Sequence, residues 1–416
     1  MENKNVQIEK VKGIEEMIGL NLNPTQHNYN VLRQGLVQVG VVGAGNAGCQ
    51  TAQKAHLEKG FDAITFNTSV KDLKNVTADI PKIIVGNERG AGKDREVAIE
   101  YIYENHKKIT DRPEVKDFIE RNEVIVFVSS TGGGSGSGMA YALMTIFRAF
   151  AKKLDVLAKK RFLLVHILPQ NKEGYLSLTN TAAYFKDIPE DNKVPFMSYD
   201  NNKYASEFAP SEVLSKVNQD IVDDLCVLRG DYIRSTPFES IDEEDLFRVL
   251  ENPGRILIMK AEDIKDKDLD DKTIYDILVN NHLKNSAATE IQYDGKVAPS
   301  AVIANLPDKM AKQFNVYAPV NDFLRCVDIK TFPHIYKPQH GEANSVYLIL
   351  SGLSRPTDRV KKIMERISEI EMEQAALQQD DGFYDLLGGD NSGVSRAKVD
   401  EVEDDLDAMF SRLRKK

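Results

Sequence analysis

The chain has 416 residues, with 54 basic and 64 acidic side chains and a formal charge of −10. At 42% hydrophobic and 28% charged, its composition excludes disorder throughout, a collagen and a small disulfide scaffold. At about 150 residues per domain the length allows two or three domains. The acidic balance argues against coating nucleic acid by charge alone.

No apolar run approaches the ~18 residues that cross a bilayer. Met1-Glu2-Asn3-Lys4-Asn5 has no apolar core behind it, so no signal peptide is expected. Cys49, Cys226 and Cys326 are odd in number and far apart, which fits a reducing cytoplasm. The seven histidines show no metal-ligand spacing.

Residues 1–34 are polar and mixed. The spacing of Ile8, Val11, Ile14 and Met17 predicts a helix over Ile8–Leu20, closed by Asn21–Pro24, as an extension packed on the main body. From Gly35 the pattern becomes strand and helix in alternation. Strands are predicted at Leu36–Val42, Ala63–Phe66, Lys82–Val85, Val124–Val128 and Arg161–Leu168. Helices are predicted from the first glycine-rich loop to Lys59, over Arg95–Lys108 and over Met139–Leu157. This alternation predicts an α/β parallel sheet with right-handed crossovers.

A long helix over Ser211–Arg229 should join this first domain (35–210) to the rest, with 211–236 as the connection. A helix at 237–252 and strands at Arg255–Met259, Ala301–Ala304, Val327–Lys330 and Ser345–Leu350 suggest a smaller α+β domain over 237–356. A closing helix is expected over 357–378. Residues 379–396 read as a flexible linker, and 398–416 as an amphipathic tail with Val402, Leu406, Met409, Phe410 and Leu413 on one face.

Two glycine-rich loops carry the chemistry. Gly43-Ala44-Gly45-Asn46-Ala47-Gly48 lies between a strand and a helix and matches GxGxxG. Such a loop lets backbone N–H groups and a helix dipole meet a phosphate, but it is also a common tight turn. A dinucleotide site would want a carboxylate ending the second strand, and that strand ends Phe66-Asn67-Thr68.

The second loop, Thr131-Gly132-Gly133-Gly134-Ser135-Gly136-Ser137-Gly138, has five glycines in eight residues between an apolar strand and a long helix. Linkers do not occur in that setting, so it reads as a second anion cradle on the same sheet edge. No GxxxxGK[ST] is present, which excludes a P-loop enzyme.

The loop at 131–138 resembles the GGGTGTG-type signature of the tubulin/FtsZ superfamily of GTPases, with Ser at two of the usual Thr positions. That resemblance covers most of the chain. It implies a Rossmann-type GTPase domain joined by a central helix to a smaller α+β domain. It also implies GTP/GDP with Mg²⁺, and a homopolymer built head to tail.

Carried onto this sequence, it assigns the phosphates to Gly43, Ala44, Gly45, Asn46 and the 131–137 loop (Thr131, Gly132, Gly133, Gly134, Ser135, Gly136, Ser137), and Asn67-Thr68 resembles the family's usual ending of the second strand, with Asn67 among the nucleotide-binding residues. Gly90, Ala91 and Gly92 are assigned to the γ-phosphate. Glu173, four residues after Pro169, takes the ribose, and Asn201 and Asn218 take the guanine; the arginine of the family's sugar loop has no counterpart near Ser177. Asp242 and Asp245 resemble the aspartate pair that completes the site of the next subunit and activates the attacking water; Ser240 stands where the family has an asparagine.

The sequence around Asp242 also has a plain reading: Ser240 and Glu243 form an S-x-x-E capping box that starts a helix. Ser235–Phe238 and Tyr347–Leu353 are similar to the plasmid and phage TubZ branch. That branch implies DNA segregation through a DNA-bound, TubR-like adaptor held by the tail, without membrane insertion. An FtsZ-type division GTPase, a nicotinamide-dinucleotide enzyme and a non-hydrolysing scaffold are the alternatives.

Overall fold

The computed structural model describes residues 35–188, 194–234, 241–265, 271–291, 300–318, 320 and 331–379. The helix expected at Ile8–Leu20, the strand at Val327–Lys330, the Ser235–Phe238 segment and the tail beyond 379 lie outside them.

The strands in chain order are β1 (Val39–Ala44), β2 (Asp62–Asn67), β3 (Lys82–Ile84), β4 (Val124–Ser130), β5 (Arg161–Leu168), β6 (Pro195–Asp200), β7 (Gly254–Ala261), β8 (Ser300–Asn305), β9 (Thr331–Tyr336) and β10 (Ser345–Leu353). They form one sheet in the order β3-β2-β1-β4-β5-β6-β7-β10-β8-β9. Every pair from β3 to β7 is parallel, β10 runs antiparallel to β7 and β8, and β9 is parallel to β8.

Buried on both faces, the central strands read as continuous apolar runs rather than alternating ones. β6 was not expected. Its Pro-Phe-Met-Ser-Tyr-Asp lacks a β-branched run, and only pairing with β5 and β7 makes it a strand.

The helices are α1 (Gly45–Lys59), α2 (Val70–Lys74), α3 (Arg95–Glu104), α4 (His106–Thr110), α5 (Pro113–Arg121), α6 (Gly134–Lys153), α7 (Tyr175–Asp187), α8 (Pro210–Arg229), α9 (Glu243–Leu250), α10 (Asp271–Asn285) and α11 (Asp308–Ala311). The expected Arg95–Lys108 helix divides at Asn105 into α3 and α4. The sequence reading missed α5, although Pro113 at its first turn and buried Val115, Phe118 and Ile119 mark it.

α8 buries Val213, Val217, Ile221, Val222 and Leu225. Its Asp224 is 1% exposed. Lys260 Nζ of β7 lies 2.6 Å from Asp224, and the Tyr199 hydroxyl of β6 donates to Asp224 at 2.7 Å. Through β7 and this buried pair the sheet continues across the expected boundary between 210 and 237. A separate unit begins at Asp358. It is carried by α12 (Thr357–Gln379), within which Arg366 bonds Glu369 and Glu373 at 2.8 and 3.2 Å.

Cys49 and Cys226 are buried free thiols, both pushed up to about 12, chiefly by burial. Among the described residues no helix is long and apolar enough to cross a membrane.

Candidate nucleotide site

The chain leaves β1 for β2 and β3 on one side, while β4 starts the other half of the parallel sheet. The crevice at the carboxyl ends of β1 and β4 is therefore the sheet's topological switch point, where open α/β sheets hold ligands. Both glycine loops open there. They bound a cleft of about 460 Å³ lined by Ala44, Gly45, Asn46, Gly90, Ala91, Gly92, Gly132, Gly133, Gly134, Ser135, Gly136 and Glu173 among the predicted residues.

The two loops interlock at backbone distance. Gly45 has φ +69°, and a Cβ there would lie 2.6 Å from the Gly136 nitrogen. A Cβ on Gly136 would lie 2.8 Å from the Ala44 carbonyl oxygen. The glycines thus serve two ends: close approach of the loops to each other, and a backbone-lined floor.

The sequence reading began the second helix at Met139. α6 begins at Gly134 instead, inside the loop. Its three glycines at 134, 136 and 138 each cost about 1 kcal/mol in helix propensity, which favours a loop on local grounds. Packing overrides this: Cβ atoms at Gly134 and Gly138 would stand 2.6 Å from the Lys93 backbone and 2.3 Å from the Arg95 carbonyl oxygen. As a result the unpaired N–H groups of the first turn of a 20-residue helix open directly into the cleft.

Side chains fix the cradle. Thr68 and Ser135 hydroxyls bond at 2.6 Å, tying the end of β2 to the loop. Thr131 is buried, bonded to the Ile167 carbonyl at 3.3 Å and to the Thr181 hydroxyl at 3.0 Å. Ser137 donates to the Gly133 and Gly134 carbonyls.

Gly43, Thr131, Ser137 and Asn67 therefore lie behind the cleft wall. A Cβ on Gly43 would meet the Gly48 oxygen at 2.5 Å. Asn67 accepts from the Ser69 N–H at 3.1 Å.

The sugar and base candidates lie towards β6. Glu173 lines the cleft and accepts from the Gln170 N–H at 2.9 Å. Asn202 accepts from the Asn171 N–H at 3.1 Å, joining the loop after β5 to the turn after β6. Asn201 opens that turn and is 5% exposed. Its Oδ1 is buried without a hydrogen-bond partner among the described residues, an acceptor that a base N–H donor would satisfy. Asn218 on α8 accepts from the Thr51 hydroxyl at 2.8 Å, one turn of α1 beyond Ala47 at the cleft edge, so its amide N–H is what it can offer a base. Neither asparagine lines the cleft itself.

Sequence reasoning missed Ser69, Asp72, Arg89, Lys93 and Ser177, which also line the cleft. Basic residues flanking Gly90-Ala91-Gly92 were the available signal.

Asp242 and Asp245 lie at the opposite end of the sheet. Asp242 shares a hollow with Gly35, Leu36 and Gly230, and the Leu36 N–H bonds the Arg229 carbonyl at 2.9 Å just before β1. α9 is held there by Arg161 at the start of β5, which lies 4.8 Å over the Phe247 ring and pairs with Glu251. The six residues of β1 alone put roughly 17 Å between that end and the glycine loops.

The helix start also differs from expectation. Its N-cap is Asp242 rather than Ser240, and Asp245 is the reciprocal partner: the Asp245 N–H donates to Asp242 at 2.9 Å, and the Asp242 N–H to Asp245 at 3.4 Å. Glu243 is the first helical residue rather than the third; Ser240 lies outside the described residues. A shorter acidic side chain at the cap satisfies the N–H of the third helical residue and meets the dipole.

Residues 38–205 match the Tubulin/FtsZ family, GTPase domain. Among curated relatives, the tubulin-like protein TubZ of Clostridium botulinum C phage is 24% identical over 213 residues, 50% of this chain and 54% of the relative. Cell division protein FtsZ 1 of Pyrococcus furiosus is 25% identical over 245 residues, 57% and 62% of the two chains. The chain thus spans a little over half the length of these relatives. Among solved structures, a GTPγS-form protofilament of Bacillus thuringiensis serovar israelensis TubZ superposes with a TM-score of 0.66 at 15% identity, covering 84% of this chain and 95% of that one. The fold is tubulin/FtsZ-like.

Proposed function

Taking residues 38–205 as a tubulin/FtsZ GTPase domain, we propose that the chain binds GTP and GDP at the switch-point cleft and hydrolyses GTP in head-to-tail assemblies of its own copies. One observation carries this reading. The glycine cradle opens at the carboxyl ends of the strands, and the Asp242–Asp245 pair stands at the amino ends of the same sheet. A carboxylate there cannot reach its own cleft, but translation of one copy along the strand direction brings it to the next.

Phosphates lie against the first turn of α6 and the Gly43–Gly48 and Gly90–Gly92 loops, ribose near Glu173, and guanine between Asn201 and Asn218. The orphaned Asn201 oxygen supports the base assignment. Asp245, half-buried and 3.7 Å from Arg248, orients the attacking water in the neighbour's site, with Asp242 beside it. Mg²⁺ would be held by the nucleotide phosphates together with the Asp72 carboxylate on the cleft wall, where it offsets phosphate charge.

Such a heterologous contact need not close, so the product is a filament. Its cellular task is DNA segregation in the cytoplasm, with residues 379–416 engaging a DNA-bound, TubR-like adaptor. The TubZ relative supports this branch; the FtsZ relative supports a division role as the second reading.

The test is GTP hydrolysis per subunit against protein concentration, with light scattering in parallel. Specific activity and scattering should rise together above one threshold, and Asp245→Ala should assemble with GTP while hydrolysing little. A specific activity flat across concentration places catalysis within one copy and overturns the shared site.

A further inference from the structure

β6 runs into one 3₁₀ turn, Asn201–Tyr204, whose first residue is the asparagine with the orphaned Oδ1. A turn of four residues has poor hydrogen-bond geometry and little stability of its own, so its placement is set by what it touches.

Its contacts come from residues 282–289, at and just beyond the end of α10. The Asp200 N–H donates to the Ala287 carbonyl at 2.8 Å and the Thr289 N–H to the Ser198 carbonyl at 2.9 Å, with Ala288 bridged antiparallel to Tyr199. Lys203 Nζ donates to two carbonyls of the same segment, those of His282 and Ala288, both at 2.9 Å. Asp220 of α8 accepts from the Tyr204 hydroxyl at 2.7 Å and from the Ala287 N–H at 2.6 Å. Asn202, between Asn201 and Lys203, is the residue tied to the loop that carries Glu173.

Lys203 is the centre of this arrangement. His282 lies in the last turn of α10, so its carbonyl has no partner within the helix, and a cation there also meets the negative end of the helix dipole. Lys203 is half-buried, and burial lowers its pKa to about 8 against the pull of Glu290, Asp200 and Asp220. At neutral pH the ammonium is charged and gives two of its three donors to this one segment.

We propose that Lys203 is a positioning residue for the base: by fastening the turn to residues 282–289 it sets where the Asn201 amide stands. The inference rests on the guanine reading of Asn201 and adds to it a residue that acts only through that asparagine. The glycine loops follow β1 and β4, and β5 lies between them and β6, so the phosphate cradle should not feel the change.

The experiment titrates GDP and inorganic pyrophosphate, below the assembly threshold, into wild type, Asn201→Ala, Lys203→Met, Lys203→Arg and the double variant Asn201→Ala with Lys203→Met. Pyrophosphate carries no base and reports the cradle alone. Asn201→Ala should weaken GDP roughly tenfold, as for one hydrogen bond. Lys203→Met should weaken GDP by a similar factor and leave pyrophosphate unchanged, while Lys203→Arg, which keeps donors for both carbonyls, should stay near wild type. Because the lysine acts through the asparagine, the double variant should bind GDP no more weakly than Asn201→Ala. Losses that multiply in the double variant, an unchanged GDP affinity in Lys203→Met, or equal losses of GDP and pyrophosphate overturn the positioning role and leave the site reading standing. An unchanged GDP affinity in Asn201→Ala refutes the base assignment, and the positioning role with it. A wild type that binds neither ligand refutes the whole site reading.

Discussion

His166→Phe tests whether the centre of the sheet holds a neutral imidazole. His166 lies in β5 beside Ser129 of β4 and Ser198 of β6, and is 2% exposed. Its ring stacks on Phe196 at 5.0 Å and meets Tyr184 and Phe185 edge-on at 5.1 and 5.6 Å. Among the described residues neither ring nitrogen has a hydrogen-bond partner. Burial, and secondarily the charge of Arg355, push its pKa down to about 3. The unfolded chain titrates near 6.5, so below that pH it binds a proton that the folded chain refuses. Stability from this group is therefore present above 6.5 and lost as pH falls.

At pH 5.5 the loss is RT ln(1 + 10), about 1.4 kcal/mol, against about 0.1 kcal/mol at pH 7.5. His282, also down to about 3 and chiefly by burial, adds a similar slope. Asp220 opposes them. Burial raises its pKa to about 6, so it contributes stability that is lost as pH rises through 6, worth roughly 1 kcal/mol over the same interval. Asp224, also raised chiefly by burial, acts in the same direction as Asp220, so the comparison of variant with wild type, not the net slope, isolates His166.

Urea unfolding without nucleotide at both pH values is the assay. Phenylalanine keeps the ring stack and gives up no hydrogen bond, so the variant should match or exceed wild type at pH 7.5. It should then lose about 1.3 kcal/mol less on going to pH 5.5. Parallel losses in the two proteins would refute the argument.

Gly45→Ala should cost about 1–2 kcal/mol from its left-handed φ and more from the clash with Gly136, whereas Gly133→Ala meets nothing within 4 Å. The second change should leave thermal stability within about 1 kcal/mol of wild type while its methyl, facing the cleft, weakens nucleotide binding; calorimetry and nucleotide titration separate the two. Lys260→Met leaves Asp224 buried with only the Tyr199 hydroxyl and should cost about 3–5 kcal/mol. Adding Asp224→Asn should recover most of it, because the amide still accepts from Tyr199, and denaturant midpoints would read both. Asp242→Ala should lose about 1 kcal/mol of cap, whereas Asp242→Ser retains the cap. Equal loss of hydrolysis in the two variants would assign the charge a role beyond capping, and loss in alanine alone would assign only the cap.

The sequence by itself determined what depends on local pattern. Apolar runs such as Val124–Val128, helical periodicity over Ser211–Arg229 and glycine spacing at 43–48 and 131–138 were sufficient for the α/β sheet, the central helix and both cradle loops. These signals are short-range, because each records how one segment buries its own surface. Whatever depended on which surfaces meet was decided only in the folded chain. β6 is a strand because β5 and β7 flank it, not because its residues prefer one. α6 starts at Gly134, against propensity, since the Lys93 and Arg95 backbones occupy the space that side chains would fill. Arg89 and Lys93 line the cleft because hydrogen bonds from Val70 and Asn180, and from Gly90 to the Thr68 carbonyl, hold a strained turn that no local preference favours. Asp242 became the cap of α9 because its carboxylate satisfies the N–H of Asp245, where sequence pattern pointed to Ser240. Local free energies of about 1 kcal/mol propose such features; the burial and backbone contacts of a ten-stranded sheet are large enough to overrule them.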